Sequence, residues 1–266
     1  MSEGAGTESA ARVADVLLAF TDASETLGVS EIARRLGLSK AVVHRILRAL
    51  LTRGLIAADT ETRGYRLGQA SAMLGARALR DSRLRDAAMP VMRRLHADIG
   101  ETITLSARVP GGRVYLDQIE SRHEIKMTVE VGRRFPLYAG GSSQCMLAFL
   151  PEEEREECLA GQLPAITPAT VIDPERLRDV LRRVRSRGYA YSHGERQPGA
   201  ASVAAPIFSF DGSVTGAISV CGPYPRLDEA AGQRYAPLVI AAADRVSRML
   251  GWSGGLPTGA TPDGPP

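Results

Sequence analysis

At 266 residues the chain is long enough for two compact domains, one small and one of ordinary size. Its 44% hydrophobic and 24% charged content is that of a globular protein, and a net charge of +3 excludes a uniformly basic nucleic-acid coat. With no apolar run of membrane-spanning length, no leader-like start, and three cysteines (Cys145, Cys158, Cys221) that lack paired spacing, a cytoplasmic protein with reduced thiols and no metal site is expected.

Residues 1–9 are small and polar and are expected to be disordered. Ala11 to Phe20 then reads as a helix with Val13, Val16, Leu17 and Phe20 turned inward. Ser30 is placed to cap a short helix whose Ile32, Ala33 and Leu36 share a face and which Gly37 ends. Ser39 caps the next helix. There Val43, Ile46, Leu47 and Leu50 form one arc, while Ala41, Arg45, Arg48 and Thr52 project from the other, flanked by Lys40 and His44. One face is core and the other is free to enter a groove. Gly54 closes this helix, Leu55 to Ala57 alternate, Asp59 to Gly64 turn, and Tyr65 to Leu67 return, which describes a wing. Between Glu31 and Arg66 the cations Arg34, Arg35, Lys40, Arg45, Arg48, Arg53, Arg63 and Arg66 outnumber Glu31, Asp59 and Glu61, a local bias suited to phosphates. Residues 10–68 therefore read as a winged helix-turn-helix. Its candidate DNA contacts are Ser39, Lys40, Ala41, His44, Arg45 and Arg48 on the reading helix and Arg63 at the wing tip. The alternative is an arginine-rich solvated face, and for His44 plain exposed surface.

Gln69 to Arg80 suits a helix joining two domains, which gives a linker over 69–81. The second domain, 82–251, opens with a helix from Leu84 to Ile99 that contains Pro90 and ends at Gly100. TITLSARV, a turn at Pro110-Gly111-Gly112, RVYLDQIES and IKMTVEVG read as an antiparallel meander. Helices are expected from Ser142 to Leu150 and from Asp173 to Arg187, and Glu152 to Glu157 reads as a helix start on a solvated face. YAYSH, SVAAPIFSF, an Asp211-Gly212 hairpin and VTGAISVCG extend the sheet, and Leu227 to Leu250 closes the domain as a long helix. This is an α+β domain, an antiparallel sheet flanked by helices. The Gly/Pro-rich tail over 252–266 is expected to be disordered.

In PLYAGGSSQCMLAFL, Gly140-Gly141 precede Ser142-Ser143, which are expected to cap a helix whose free N–H groups favour an anion. Ser202 and Ser219 lie in otherwise apolar strands and can face one cavity with Ser142, for which a small carboxylate is the natural occupant. Ser192, His193 and Glu195 either line its rim or belong to a solvated loop. An ordinary helix cap beneath a loop is the plainer alternative. Nothing brings Cys145, Cys221, His123 and His193 together as a thiol and base, and GGSSQ lacks the Gly-x-Ser-x-Gly elbow, so no catalytic residue is expected. Cys145 reads as packing, with an enzyme using it as the least favoured alternative. No phosphate loop or dinucleotide fingerprint points to a cofactor.

The passages EIARRLGLSKAVVHRILRALLTRGLI, TRGYRLG, VGRRFPLYAGGSSQCMLAFLP, RGYAYSHGE, SVAAPIF and GAISVCGP occur in the order found in one family. From Ala11 to Leu250 the chain resembles the isocitrate lyase regulator (IclR) family of bacterial transcription regulators. The resemblance implies a winged helix-turn-helix, a linker helix and a GAF-like, profilin-like effector domain, assembled as homodimers or homotetramers on palindromic operator DNA. It also implies small organic-acid effectors, often aromatic or central-metabolic. The family's ligand-lining positions fall on Gly141, Ser142, Ser192 before Glu195, Ser202, Ser219 and Cys221. The chain departs from the family in having Ser143-Gln144 for the usual Gly-Lys, Ser192 where some members place an aspartate, and Ser202 for a frequent pocket cysteine. A repressor and an activator are equally compatible with these residues. A DNA-binding regulator whose second domain is purely structural or oligomerising is the alternative.

Overall fold

The computed structural model describes residues 3–22, 26–80 and 82–255, which form two compact units divided between Ser82 and Arg83. In the first, α1 (Glu3–Leu18) runs into a 3-10 turn (Ala19–Asp22) and is followed by α2 (Val29–Leu36), α3 (Lys40–Thr52), β1 (Ile56–Ala58), β2 (Tyr65–Leu67) and α4 (Gln69–Arg80). Val16, Phe20, Ile32, Val43, Ile46, Leu47, Leu50 and Ile56 make a closed apolar core. Helix α1 begins at Glu3, inside the segment expected to be disordered, and an ion pair between Glu8 and Arg12 one turn apart supports its N-terminal part.

Ser39 caps α3 as expected, its hydroxyl accepting from the Val42 N–H. Ser30 does not cap α2: Gly28 stands at that position and Ser30 lies within the first turn. The extended backbone of Gly28 lets its carbonyl accept from Glu31 and Ile32, so the turn closes without a side-chain cap. The wing is a two-stranded ribbon that Leu27 joins by exchanging two backbone bonds with Tyr65.

The second unit contains α5 (Arg83–Ile99), β3 (Thr102–Val109), β4 (Gly112–Ile119), β5 (Arg134–Phe135), α6 (Gly141–Ala148), α7 (Glu152–Ala160), α8 (Pro174–Arg187), β6 (Ala190–His193), β7 (Ala200–Phe208), β8 (Val214–Pro223) and α9 (Glu229–Met249). Its six strands are antiparallel in the order β5-β4-β3-β8-β7-β6. Strand alternation separates two chemistries. Ile103, Val220 and Val203 lie in one cross-strand row and Leu105, Ile218 and Ala205 in the next, on the face covered by α5 and α9. The opposite face, under α6, carries the row Thr102, Cys221, Ser202 and Ser192 and the neighbouring pair Thr104 and Ser219. β3, β7 and β8 thus present apolar residues to one layer and hydroxyls or a thiol to the other.

IKMTVEVG does not form the expected strand. Residues 125–130 are irregular, and the ladder is replaced by side chains: the Gln118 amide donates to the Val129 carbonyl and accepts the Val129 N–H, while Thr102 Oγ1 donates to the Met127 carbonyl. The alternation that suggests a strand is satisfied without backbone pairing. At the other end, Trp252, in the tail expected to be disordered, stacks on Phe208 with ring centroids 4.7 Å apart; residues 256–266 of that tail lie outside the described residues.

Candidate functional site

Two surfaces carry the candidate chemistry. On α3 the core arc is buried while Lys40, Ala41, His44, Arg45 and Arg48 are exposed. Arg34 and Arg35 of α2 are both held by Glu31, through bonds of 2.7 Å, and this pairing keeps the Glu31 carboxyl below its ordinary range. By contrast, Lys40, Arg45, Arg48 and Arg63 have no acidic partner among the described residues. The local positive excess is therefore sorted: α2 neutralises its arginines internally and α3 leaves its own available. Ser39 uses its oxygen as an acceptor in the cap, so its O–H remains a donor. At the wing tip Arg63 is held in the left-handed region (φ 56°) by a turn in which Asp59 accepts from Glu61, Thr62 and the Thr62 hydroxyl. A groove of about 490 Å³ runs between α3 and the wing, lined by His44, Arg45, Arg48, Leu51 and Tyr65. Leu51 and Tyr65 are additions that the helical pattern alone does not reveal.

The second surface is a cavity on the hydroxyl face of the sheet. Gly140 (φ 87°) turns the chain into α6, and Gly141 approaches β7 so closely that a Cβ would meet Ser202 Oγ at 2.8 Å. Gly141, Ser142, Ser192, Glu195, Ser202 and Cys221 all line the space. Ser219 lies behind it, fully buried, bonded to Ser142 (3.2 Å), Thr104 (2.7 Å) and the Cys221 thiol (3.5 Å). Ser142 and Ser143 are not the caps of α6: Gly140 holds that position, and the serines sit in the first turn with their hydroxyls directed at Ser219 and at the Pro136 carbonyl. A glycine backbone makes the entry, which releases both hydroxyls for tertiary bonds.

Of the three residues expected at a cavity rim or in a solvated loop, Ser192 and Glu195 (8% exposed) line the cavity, while His193 is exposed and lies outside its lining. Glu195 Oε2 accepts the Gln144 amide at 2.6 Å and the Gly140 N–H at 3.5 Å. Thr167 and Thr170 fix its segment by donating to the Gly194 and Glu195 carbonyls. Burial pushes the carboxyl above its ordinary range, and bonds from Ser192, Gly140 and Gln144 offset only part of that rise. Gln144 Oε1 is buried without a partner among the described residues.

Because folding raises this pKa, the folded chain holds the proton more tightly than the unfolded one. Wild-type stability therefore falls as pH rises from the ordinary carboxylate range through the raised folded value. Glu195→Gln is expected to melt higher than wild type above that window, with the gap closing in acid. Thermal melts between about pH 4 and about pH 8 check this, and a gap that does not vary with pH would remove the ionisation from the explanation.

Four further polar wall residues went unnoticed in sequence: Arg113, Tyr115, Arg196 and Gln197. Arg113 follows a glycine turn at the start of β4 and shares the strand's inward face with Tyr115, a spacing of two that is the available signal. Cys145 is fully buried in the apolar core, away from the cavity wall, and burial raises its thiol pKa well above the ordinary value. His193 stacks on Tyr224 with ring centroids 3.7 Å apart. No group of three or more His, Cys, Asp or Glu among the described residues is arranged to hold a metal ion, and no described helix is long and apolar enough to cross a membrane.

Comparison with known proteins assigns both units to one family. The IclR helix-turn-helix domain matches residues 9–60, and the C-terminal domain of bacterial IclR transcriptional regulators matches residues 76–248. The chain is 34% identical to the HTH-type transcriptional regulator BhcR of Paracoccus denitrificans over 84% of its own length and 81% of that protein. It is 32% identical to the HTH-type regulator KdgR of Escherichia coli K12, over 92% and 93% of the two chains. Among solved structures, an IclR transcriptional regulator from Alicyclobacillus acidocaldarius superposes with a TM-score of 0.77 at 30% identity, over 91% of this chain and 98% of the other. An IclR homologue from Microbacterium hydrocarbonoxydans complexed with 4-hydroxybenzoate gives 0.69 at 30% identity, with the same coverage. The capped reading helix, the wing and the second unit's antiparallel sheet with its helices are the parts of one known design: the chain belongs to the IclR family of DNA-binding transcription regulators.

Proposed function

We propose that the chain reads palindromic operator DNA as a homo-oligomer and that a small organic acid in the cavity of the second unit alters that binding. The observation that carries the DNA part is the sorted charge of the first unit. Lys40, Arg45 and Arg48 stand exposed and unpaired on the outer face of α3, so they meet phosphates and base edges without first breaking an ion pair. Ser39, Ala41 and His44 fill the helix N-terminal side of the same contact, and Arg63 serves the wing. The effector part is supported by the cavity lined by Gly141, Ser142, Ser192, Glu195, Ser202 and Cys221, backed by Ser219, and by the 4-hydroxybenzoate bound to a homologue. The cavity leaves about 30 Å³ free, room for water rather than for an acid, so ligand entry must displace part of the wall, with half-buried Arg196 the accessible element. Exposed Met73 (69%) and Leu74 (63%) on α4 support self-association through that helix, which serves as the linker. The buried Cys145, whose thiol pKa burial raises, supports a regulator that performs no catalysis.

The test is a gel shift on the DNA upstream of the protein's own gene, at stated salt, with and without a panel of small organic acids. Specific binding altered by one acid is the expected result. Specific binding that no acid alters, together with no ligand-induced rise in melting temperature, would leave the second unit a structural or oligomerising domain.

A further inference from the structure

Helix α2 places two cations beside the start of the reading helix. Glu31, Arg34 and Arg35 share its outer arc, opposite buried Ile32 and Ala33. Only Gly37, Leu38 and Ser39 separate its last residue, Leu36, from Lys40 at the start of α3. In a helix-turn-helix the first helix crosses the DNA backbone while the N-terminal residues of the second enter the groove. Arg34 and Arg35 lie in the last turn of α2, at the end that leads into that entry.

Neither guanidinium is aimed there. Glu31 stands one turn back toward the N-terminus of α2 and takes both. Arg34 donates from Nη2 to Oε1 and Oε2 at 2.7 Å and from Nε to Oε2 at 3.2 Å, and Arg35 donates from Nε to Oε1 at 2.7 Å. These bonds draw both heads back along the helix, away from Gly37, and one carboxylate cancels one of the two positive charges. Side-chain exposures of 34% for Glu31, 36% for Arg35 and 74% for Arg34 leave the cluster open to solvent, so a phosphate can reach the arginines once the carboxylate is gone. Exposed pairs of this kind add little to stability, which leaves the placement of charge as their main consequence.

We infer that Glu31 is a clamp that withholds Arg34 and Arg35 from the DNA backbone and thereby limits the affinity of the protein for DNA of any sequence. Phosphate contacts supply this sequence-independent part of binding, and each one added steepens its salt dependence. With the clamp in place, binding leans on the contacts of α3, which include base edges. The inference rests on α3 being the reading helix.

The experiment is fluorescence anisotropy of a labelled duplex of unrelated sequence, titrated with the full chain between about 50 and about 200 mM salt. Glu31→Gln is expected to bind about three- to tenfold more tightly, with a salt dependence steeper by about one to two in the log–log slope. Arg34→Ala/Arg35→Ala should leave the affinity of the otherwise native chain within about twofold, yet remove the gain when combined with Glu31→Gln. Glu31→Ala repeats the measurement should Glu31→Gln lower the melting temperature. The absence of any gain in both Glu31 variants overturns the inference. So does a gain that persists without the two arginines, which would come from the carboxylate's own repulsion of DNA. An equal loss from the double substitution with and without Glu31 also overturns it, because the arginines would then touch phosphates while paired. Lys40→Ala separates the two levels: affinity lost there with none gained in the Glu31 variants removes the clamp alone, whereas unchanged affinity in Lys40→Ala together with no gain removes α3 as the DNA-facing helix as well.

Discussion

Arg45→Ala is expected to weaken specific operator binding roughly ten- to hundredfold, the size of one lost bidentate base contact at about 1–3 kcal/mol. The melting temperature should not move. Arg45 is exposed, makes no ion pair among the described residues, and lies on the arc opposite Val43, Ile46, Leu47 and Leu50. Arg35→Ala is the matched control from the same unit, because Arg35 is engaged by Glu31 one turn away and an exposed pair of this kind contributes little to stability. Binding curves at several salt concentrations sharpen the comparison. A phosphate contact such as Lys40 should lower affinity on all sequences and flatten the salt dependence, whereas a base contact lowers it chiefly on the operator. Unchanged operator affinity in Arg45→Ala would take this residue out of the interface and place the contact elsewhere on α3.

The largest stability effect is expected in the middle of the sheet. Gly216 in β8 faces Ala107 of β3, and a Cβ built there would stand 2.4 Å from the Ser106 carbonyl oxygen and 3.0 Å from Leu84 of α5. The first of these neighbours is backbone in the adjacent strand and cannot rotate away. Gly216→Ala must therefore push β3 from β8 or drive α5 off the apolar face, at a cost of about 1–3 kcal/mol or more. Urea denaturation followed by fluorescence of Trp252, which stacks on Phe208 at the end of β7, reads this unit directly. An unshifted midpoint would mean that the two strands are not packed at this distance.

The parts legible in sequence are those set by local rules. Helical spacing separated the two faces of α3, Asp173 marked the cap of α8, and alternation located β3, β4, β7 and β8. Expectations failed where side chains from distant segments supplied what the local pattern appeared to need. IKMTVEVG alternates like a strand, but Gln118 and Thr102 satisfy its backbone from the neighbouring layer. Ser142 and Ser143 look like caps, but a glycine makes the turn and the sheet claims both hydroxyls. The cavity was partly visible because serines in apolar strands are conspicuous. Arg113 was not, since an arginine beside a glycine turn has an ordinary solvated explanation and its burial depends on Ser106, Tyr115 and Ser143 converging from three elements. Gln144 and Glu195 are 51 positions apart, and no local rule couples them.

The separation of chemistries across the sheet bears on how such a protein can diversify. Because neighbouring residues along β3, β7 and β8 point to opposite layers, Thr104, Ser202, Ser219 and Cys221 can be exchanged without altering Ile103, Val203, Ile218 or Val220 on the face packed by α5 and α9. Selection for a new metabolite can act on odd or even positions of a strand while the others keep the domain folded. The same scaffold is then free to drift among regulatory inputs one side chain at a time, without passing through an unfolded intermediate in its history.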